Sequence, residues 1–147
     1  MAVLTIVSAS VGIGGTSTNT SKNQMGEVIG QGVVVYKDTA DSDNLKIADM
    51  NTILPSDVYG ITVDGGPDDD ISVVVTKGLI RIGSAVTAGE MYYLATTGQI
   101  GQWVDVLTGD YIVEIGHGTG PTAGPTTMID VAIKRVVDSS GLPVLKA

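Results

Sequence analysis

The sequence holds no cysteine, no phenylalanine, one tryptophan and one histidine in 147 residues. The missing cysteines exclude disulfides, thiolate metal centres and a cysteine nucleophile, so the chain must hold together by packing. The single histidine, His117, excludes a two-histidine metal site within one chain. It leaves a serine triad as the only histidine-dependent template, and no G-x-S-x-G elbow accompanies it. No apolar run approaches the ~18 residues that a membrane helix needs. The start Met1-Ala2-Val3-Leu4-Thr5-Ile6 lacks the basic residues of a secretion signal. Neither a membrane nor an export route is therefore expected. Positive charge is also scarce. With 8 basic residues against 16 acidic ones, the formal net charge of −8 repels phosphate backbones and anionic lipids, so nucleic acid is not expected as a partner.

What is present points to β structure. Hydrophobic residues make up 43% of the chain and charged residues only 16%, a balance too apolar for disorder, and the length suits one domain. The 20 glycines, together with abundant Val, Ile and Thr, favour short strands joined by tight turns. The small aromatic supply thins the core of an isolated domain. Apolar area hidden between subunits contributes the same ~25 cal/mol per Å² as area hidden within one, so a homo-oligomer is expected.

Three regions follow from the pattern. Residues 1–25 read as an extended N-terminal arm: a short apolar alternation, a glycine run, then the polar stretch Thr16 to Asn23 with no periodicity. Residues 26–137 read as a β domain, with candidate strands at Glu27 to Tyr36, Asp57 to Val63, Ile71 to Lys77, Leu79 to Ile82, Met91 to Ala95, Tyr111 to Gly116 and Met128 to Val137. Residues 138–147 read as a short tail. In the last strand Ile129, Val131, Ile133 and Val137 share one side, with Arg135 intruding on it. The fold class expected is all-β, a compact antiparallel β-sandwich or barrel with an extended N-terminal arm and at most one short helix. That helix would lie around Leu45 to Thr52, although Lys46-Ile47-Ala48 suits a strand equally.

The catalytic templates find no match. Gly12-Ile13-Gly14-Gly15 suggests a phosphate loop, but the third glycine of G-x-G-x-x-G would fall at Ser17 and a Ser/Thr/Asn run follows where a helix should start. His117, between Gly116 and Gly118, reads as a turn residue. Asp64, Asp68, Asp69 and Asp70, and separately Asp41, Asp43 and Asn44, could offer oxygens to Ca²⁺, but neither group has the twelve-residue loop spacing. They read as solvated hairpin tips whose charges guard strand edges. Tyr36, Tyr59, Tyr92, Tyr93 and Tyr111 sit mostly inside strand patterns and read as packing residues. Trp103 is the best single candidate for a ligand contact. No catalytic, cofactor-binding or metal-ligating residue is assigned, and no enzymatic activity is expected.

Four stretches in order carry a resemblance: Val58-Tyr59-Gly60-Ile61-Thr62-Val63, then Val73 to Gly78, then Thr87-Ala88-Gly89-Glu90-Met91-Tyr92-Tyr93-Leu94, then Gly109-Asp110-Tyr111-Ile112-Val113-Glu114-Ile115-Gly116. With them the chain from Val33 to Val137 resembles the decoration, or cement, proteins of tailed-bacteriophage capsids, and more loosely the head-fibre modules of such phages. The resemblance implies a homotrimer on the outer capsid surface of the virion. There it would clamp adjacent copies of the major capsid protein, with no catalytic residues and no cofactor. The arm would then reach along the capsid, with Val3, Leu4, Ile6 and Val7 as its contact residues; the same four suit a first core strand equally. One rival is a head-fibre or tail-associated adhesin that binds host-surface glycans through Trp103 and the Gly118 to Pro125 loop. The other is a trimeric nucleotide hydrolase, whose ordered acidic, glycine-rich and serine-rich motifs the sequence lacks.

Overall fold

The computed structural model describes residues 3–7, 10–15, 18–119 and 125–147. The fold is all-β: an antiparallel sheet curls into a half-barrel. Its strands are β1 (Val11–Ile13), β2 (Asn19–Gln24), β3 (Val34–Asp38), β4 (Asn44–Ile47), β5 (Val58–Thr62), β6 (Ile71–Thr87), β7 (Met91–Thr96), β8 (Gln99–Gly101), β9 (Val113–Thr119) and β10 (Pro125–Arg135). The order across the sheet is β4-β3-β5-β6-β10-β9-β7-β8, with β1 and β2 also paired to β6.

β6 is the spine. The sequence predicts two strands here, broken before Leu79 and ended at Gly83-Ser84, but the chain runs as one 17-residue strand. Gly78 and Gly83 take positive φ within it, so the glycines bend the strand rather than end it. Its first half lies between β2 and β5, and its second half pairs with β1 and β10.

Apolar doublets mark the strands that are covered on both faces. Successive side chains point to opposite sides of a strand, so Val34 and Val75 enter the main core while their neighbours Val35 and Val74 enter a second one. The main core is lined by Ile61, Ile80, Ile82, Leu94, Ile100, Ile115, Ile129 and Val131 among others. The second core is roofed by Met25 and Ile29. This roof corrects the expected strand from Glu27 to Tyr36. Only Val34 onward is strand, because residues 26–33 cross the outer face as a loop in which Ile29 and Gly66 exchange backbone hydrogen bonds.

Two further expectations change. The helix proposed around Leu45 to Thr52 is absent; Asn44–Ile47 form β4 against β3, and turns follow to Asp57. Among the described residues there is no α-helix, and short 3-10 turns occur at Thr39–Asp41 and Trp103–Asp105. The polar stretch near the N-terminus includes β2, paired along β6 from Asn19 to Gln24. Its residues alternate between exposed and half-buried, so they carry no apolar period for a sequence reading to detect. The last strand follows its alternation only in part: Ile129 and Val131 are fully buried and Arg135 sends its guanidinium to the Ile53 carbonyl, but the register shifts after Val131, β10 ends at Arg135 and Val137, expected on the buried side, is 47% exposed.

The two ends of the sheet meet at one residue. Gly98, at the tip of the β7–β8 hairpin, donates its N–H to the Ala48 carbonyl at 2.8 Å and accepts from the Val34 N–H at 3.0 Å. Its φ is +69°, and a Cβ there would lie 2.5 Å from Ile47 Cγ2 and 2.9 Å from Val33 Cγ1. Gly98→Ala therefore combines left-handed strain with overpacking and should cost ~2–4 kcal/mol in urea denaturation. Gly109→Ala, with φ +91° and nothing within 4 Å of a new Cβ, should cost only the strain, ~1 kcal/mol.

Candidate functional site

Large apolar side chains left in water gather at one part of the molecule. Ile53, Leu54, Trp103, Val104, Leu107, Val137, Leu142 and Leu145 are eight of the twelve exposed large hydrophobics among the described residues. They come from three segments that backbone hydrogen bonds tie side by side. The Tyr111 N–H donates to the Met50 carbonyl at 2.8 Å, the Ile112 N–H to Val144 at 3.1 Å, and the Lys146 N–H to Asp110 at 2.8 Å. Val136 completes the set, donating to Ile112 at 2.9 Å and accepting from Val144 at 3.0 Å. Residues 138–147, read from sequence as a tail, are thus held against residues 109–112.

Local chemistry decides which side chains face out. In the 3-10 turn Trp103–Asp105, the Asp105 carboxylate accepts from the Gln102 N–H at 2.9 Å, which turns Asp105 and Val106 inward and leaves Trp103 and Val104 outside. Asp110 is buried too and accepts from the Leu107 N–H at 3.3 Å. The Asp138 carboxylate accepts from the Ser140 and Leu142 N–H groups at 2.8 and 3.0 Å, fixing the turn that presents Leu142. Arg135 Nη1 donates to the Ile53 carbonyl at 2.6 Å and to Ser56 Oγ at 3.0 Å, anchoring the Ile53-Leu54 loop.

Trp103 is 44% exposed, and its surroundings are specific. The Tyr93 ring meets it edge-on at 5.3 Å, and Lys146 Nζ stands 4.5 Å from its ring centroid. The same ammonium donates to the Trp103 and Val106 carbonyls at 2.9 and 2.6 Å, so it is locked over the indole. The surface that a stacking sugar would use is partly taken. Residues 120–124 of the loop that a glycan reading pairs with Trp103 lie outside the described residues.

The N-terminal candidates are placed differently. Leu4 and Ile6 pack against the main core, and the Leu4 N–H donates to Ile100 at 2.8 Å. Val3 is half-buried, while Val7 is 58% exposed and donates its N–H to Gly83 at 2.8 Å. Leu4 and Ile6 are thus spent on the fold, and of the four only Val7 stands largely in water.

The remaining motifs have structural explanations. Gly14 lets the chain cross closely over Leu79, where a Cβ would come within 3.0 Å of the Leu79 Cβ. His117 lies within β9 rather than in a turn, opposite Asp130 and Met91. The Asp64 carboxylate closes its own turn, accepting from the Val73 N–H at 2.6 Å and from Ser72 Oγ at 3.1 Å. Asp38 and Asp41 flank Lys46 at 3.2 and 3.6 Å. Among the described residues no three His, Cys, Asp or Glu side chains converge as a metal site would require.

Sequence reasoning found Trp103 and missed its companions. Val104, Leu107, Leu142 and Leu145 lie in short segments between turn residues, where no period marks a face. The available signal was the apolar content of Leu142-Pro143-Val144-Leu145, high for a solvated tail. Compared with protein-family models, curated proteins and solved structures, the chain has no significant match. Fold and face together define a small all-β half-barrel with an apolar surface framed by backbone hydrogen bonds.

Three groups give the protein a high-pH dependence. Burial raises the Tyr93 phenol above its usual 10.0, and the Glu114 and Glu90 carboxylates add to this. Burial, then Asp38, raises Tyr36 in the same way. The hydrogen bond to Asp38 raises Lys46. A folded-state pKa above the unfolded one contributes stability that is complete below the unfolded value and is lost as pH rises through the folded value. The melting temperature should therefore hold up to pH ~10 and fall above it, and Tyr93→Phe with Tyr36→Phe should flatten that fall in a thermal-melt series.

Proposed function

We propose that this chain is a non-enzymatic structural protein that decorates the outer surface of a tailed-phage head as a homo-oligomer, binding the major capsid protein and stabilising its lattice. The observation that carries the homo-oligomer in this reading is the gathering of eight exposed large apolar residues on three tied segments. Single exposed hydrophobics are ordinary; a collection of them on a fixed frame marks a protein contact surface. The ordered stretches from Val58 to Gly116 that resemble capsid decoration proteins supply the kind of particle.

Such a role asks little of each copy. Many weak contacts engaged at once attach firmly by avidity, so a modest capsid contact per chain suffices. The net charge of −8 disfavours binding to packaged nucleic acid. Trp103 serves this reading as the largest side chain of the face rather than as a sugar platform, because Lys146 sits over its ring.

Fractionation of virions by sedimentation, with mass spectrometry of each fraction, tests the reading. The chain should run at high copy number in the capsid peak, and purified chain added to undecorated heads should pellet with them and raise the temperature at which they rupture. Recovery only as a free small oligomer would overturn it.

A further inference from the structure

We infer that the apolar face around Trp103, Val104, Leu107, Leu142 and Leu145 receives a second copy of this chain; this rests on the assembly role proposed above and names the partner of that face. The first argument is area. At ~60–120 Å² for an aliphatic side chain and ~150–250 Å² for Trp103, exposures of 42 to 62% across the eight residues leave roughly 300–550 Å² of apolar surface on the three tied segments. That matches the ~300–600 Å² of the largest patch on a typical monomer, which is often functional. It is comparable to the apolar share, a little over half, of the ~800 Å² that each partner buries in an interface of standard size.

The second argument is charge. Two copies at −8 each repel, so a self-contact belongs where the carboxylates are fewest. Residues 50–56 contain no acid but are bordered by the half-buried Asp49 and the exposed Asp57, and in residues 102–111 both aspartates, Asp105 and Asp110, are buried. Residues 135–146 add one exposed carboxylate, Asp138, already held by two backbone N–H groups, beside the cations Arg135 and Lys146. With Asp49, Asp57 and Asp138 set against Arg135 and Lys146, the face carries little of the net charge of a strongly acidic protein. The third argument is composition: the only tryptophan stands at the surface while the core has no phenylalanine at all, which places aromatic packing area where another chain can use it.

The test is the association state of the purified full chain by sedimentation velocity, followed in a dilution series. The wild type should be oligomeric at ~100 μM, where even a micromolar contact is saturated. It should associate more tightly as salt is raised, because salt screens the repulsion between acidic copies. Val104→Asp combined with Leu107→Asp changes two side chains that are each 60% exposed, so the far-UV dichroism should be unchanged while association weakens by ~100-fold or more. Val28→Asp, at 71% exposure on the loop over the second core, should leave association intact.

A wild type that is monomeric at ~100 μM, or a double variant that associates as the wild type does, overturns the inference. Pelleting with capsids separates the two readings. A monomeric chain that pellets with heads removes self-docking and the homo-oligomer but leaves capsid binding standing; an oligomer that the double variant dissolves, but that never pellets, keeps self-docking and removes decoration.

Discussion

An open curled sheet has two bare edges, and in this protein they are joined through the backbone of Gly98. Its N–H and carbonyl bond to Ala48 and Val34, so the β7–β8 hairpin at one end of the sheet is tied to the β3–β4 hairpin at the other. Each end strand is also covered on its outer side. The Gly26 N–H donates to Leu45 and the Glu27 carboxylate accepts from the Ile47 N–H along β4, while the Leu4 N–H donates to Ile100 on β8. The ladder groups that would otherwise recruit a stranger are thereby occupied. The main core is enclosed by this closure, because the side chains it buries come from strands at both ends of the sheet as well as from its middle.

Closure explains why the exposed apolar surface lies outside the sheet. With the edges covered, strand addition is disfavoured, and the apolar surface left in water is side chain rather than backbone. The segments after β8, after β10 and between β4 and β5 supply that surface, and they are firm because their backbones bond to one another. Asp105 and Asp110 show the means: short carboxylates turned inward onto nearby N–H groups set the loop so that Trp103, Val104 and Leu107 stand outward. The polar groups of these loops are largely spent on shaping them.

Much of the fold was legible from pattern. The alternation of Ile129 and Val131 in β10, the β-branched residues of β5 and β6 and the Thr97-Gly98 turn all appear where local chemistry places them. Three elements were not legible, each for its own reason. β2 is polar because it is an outer strand with little to bury. β4 is too short for its period to outweigh a helical one. The loop over Val35 and Val74 looked like strand because Val28 and Ile29 are apolar, yet Ile29 is buried and Val28 is 71% exposed.

By itself the sequence determined the chemical limits and the structural class. The counts of cysteine, histidine, phenylalanine and basic residues exclude whole families of sites, and the Val, Ile, Thr and Gly pattern dictates strands, since these depend only on residue type and near neighbours. Only the tertiary structure decided which apolar residues stay in water. Leu4 and Leu145 are alike in sequence terms, each an apolar residue near an end of the chain. Leu4 packs on the core and Leu145 is 48% exposed, because burial is set by which distant segment lies across a residue, and that contact is fixed when the sheet curls and closes.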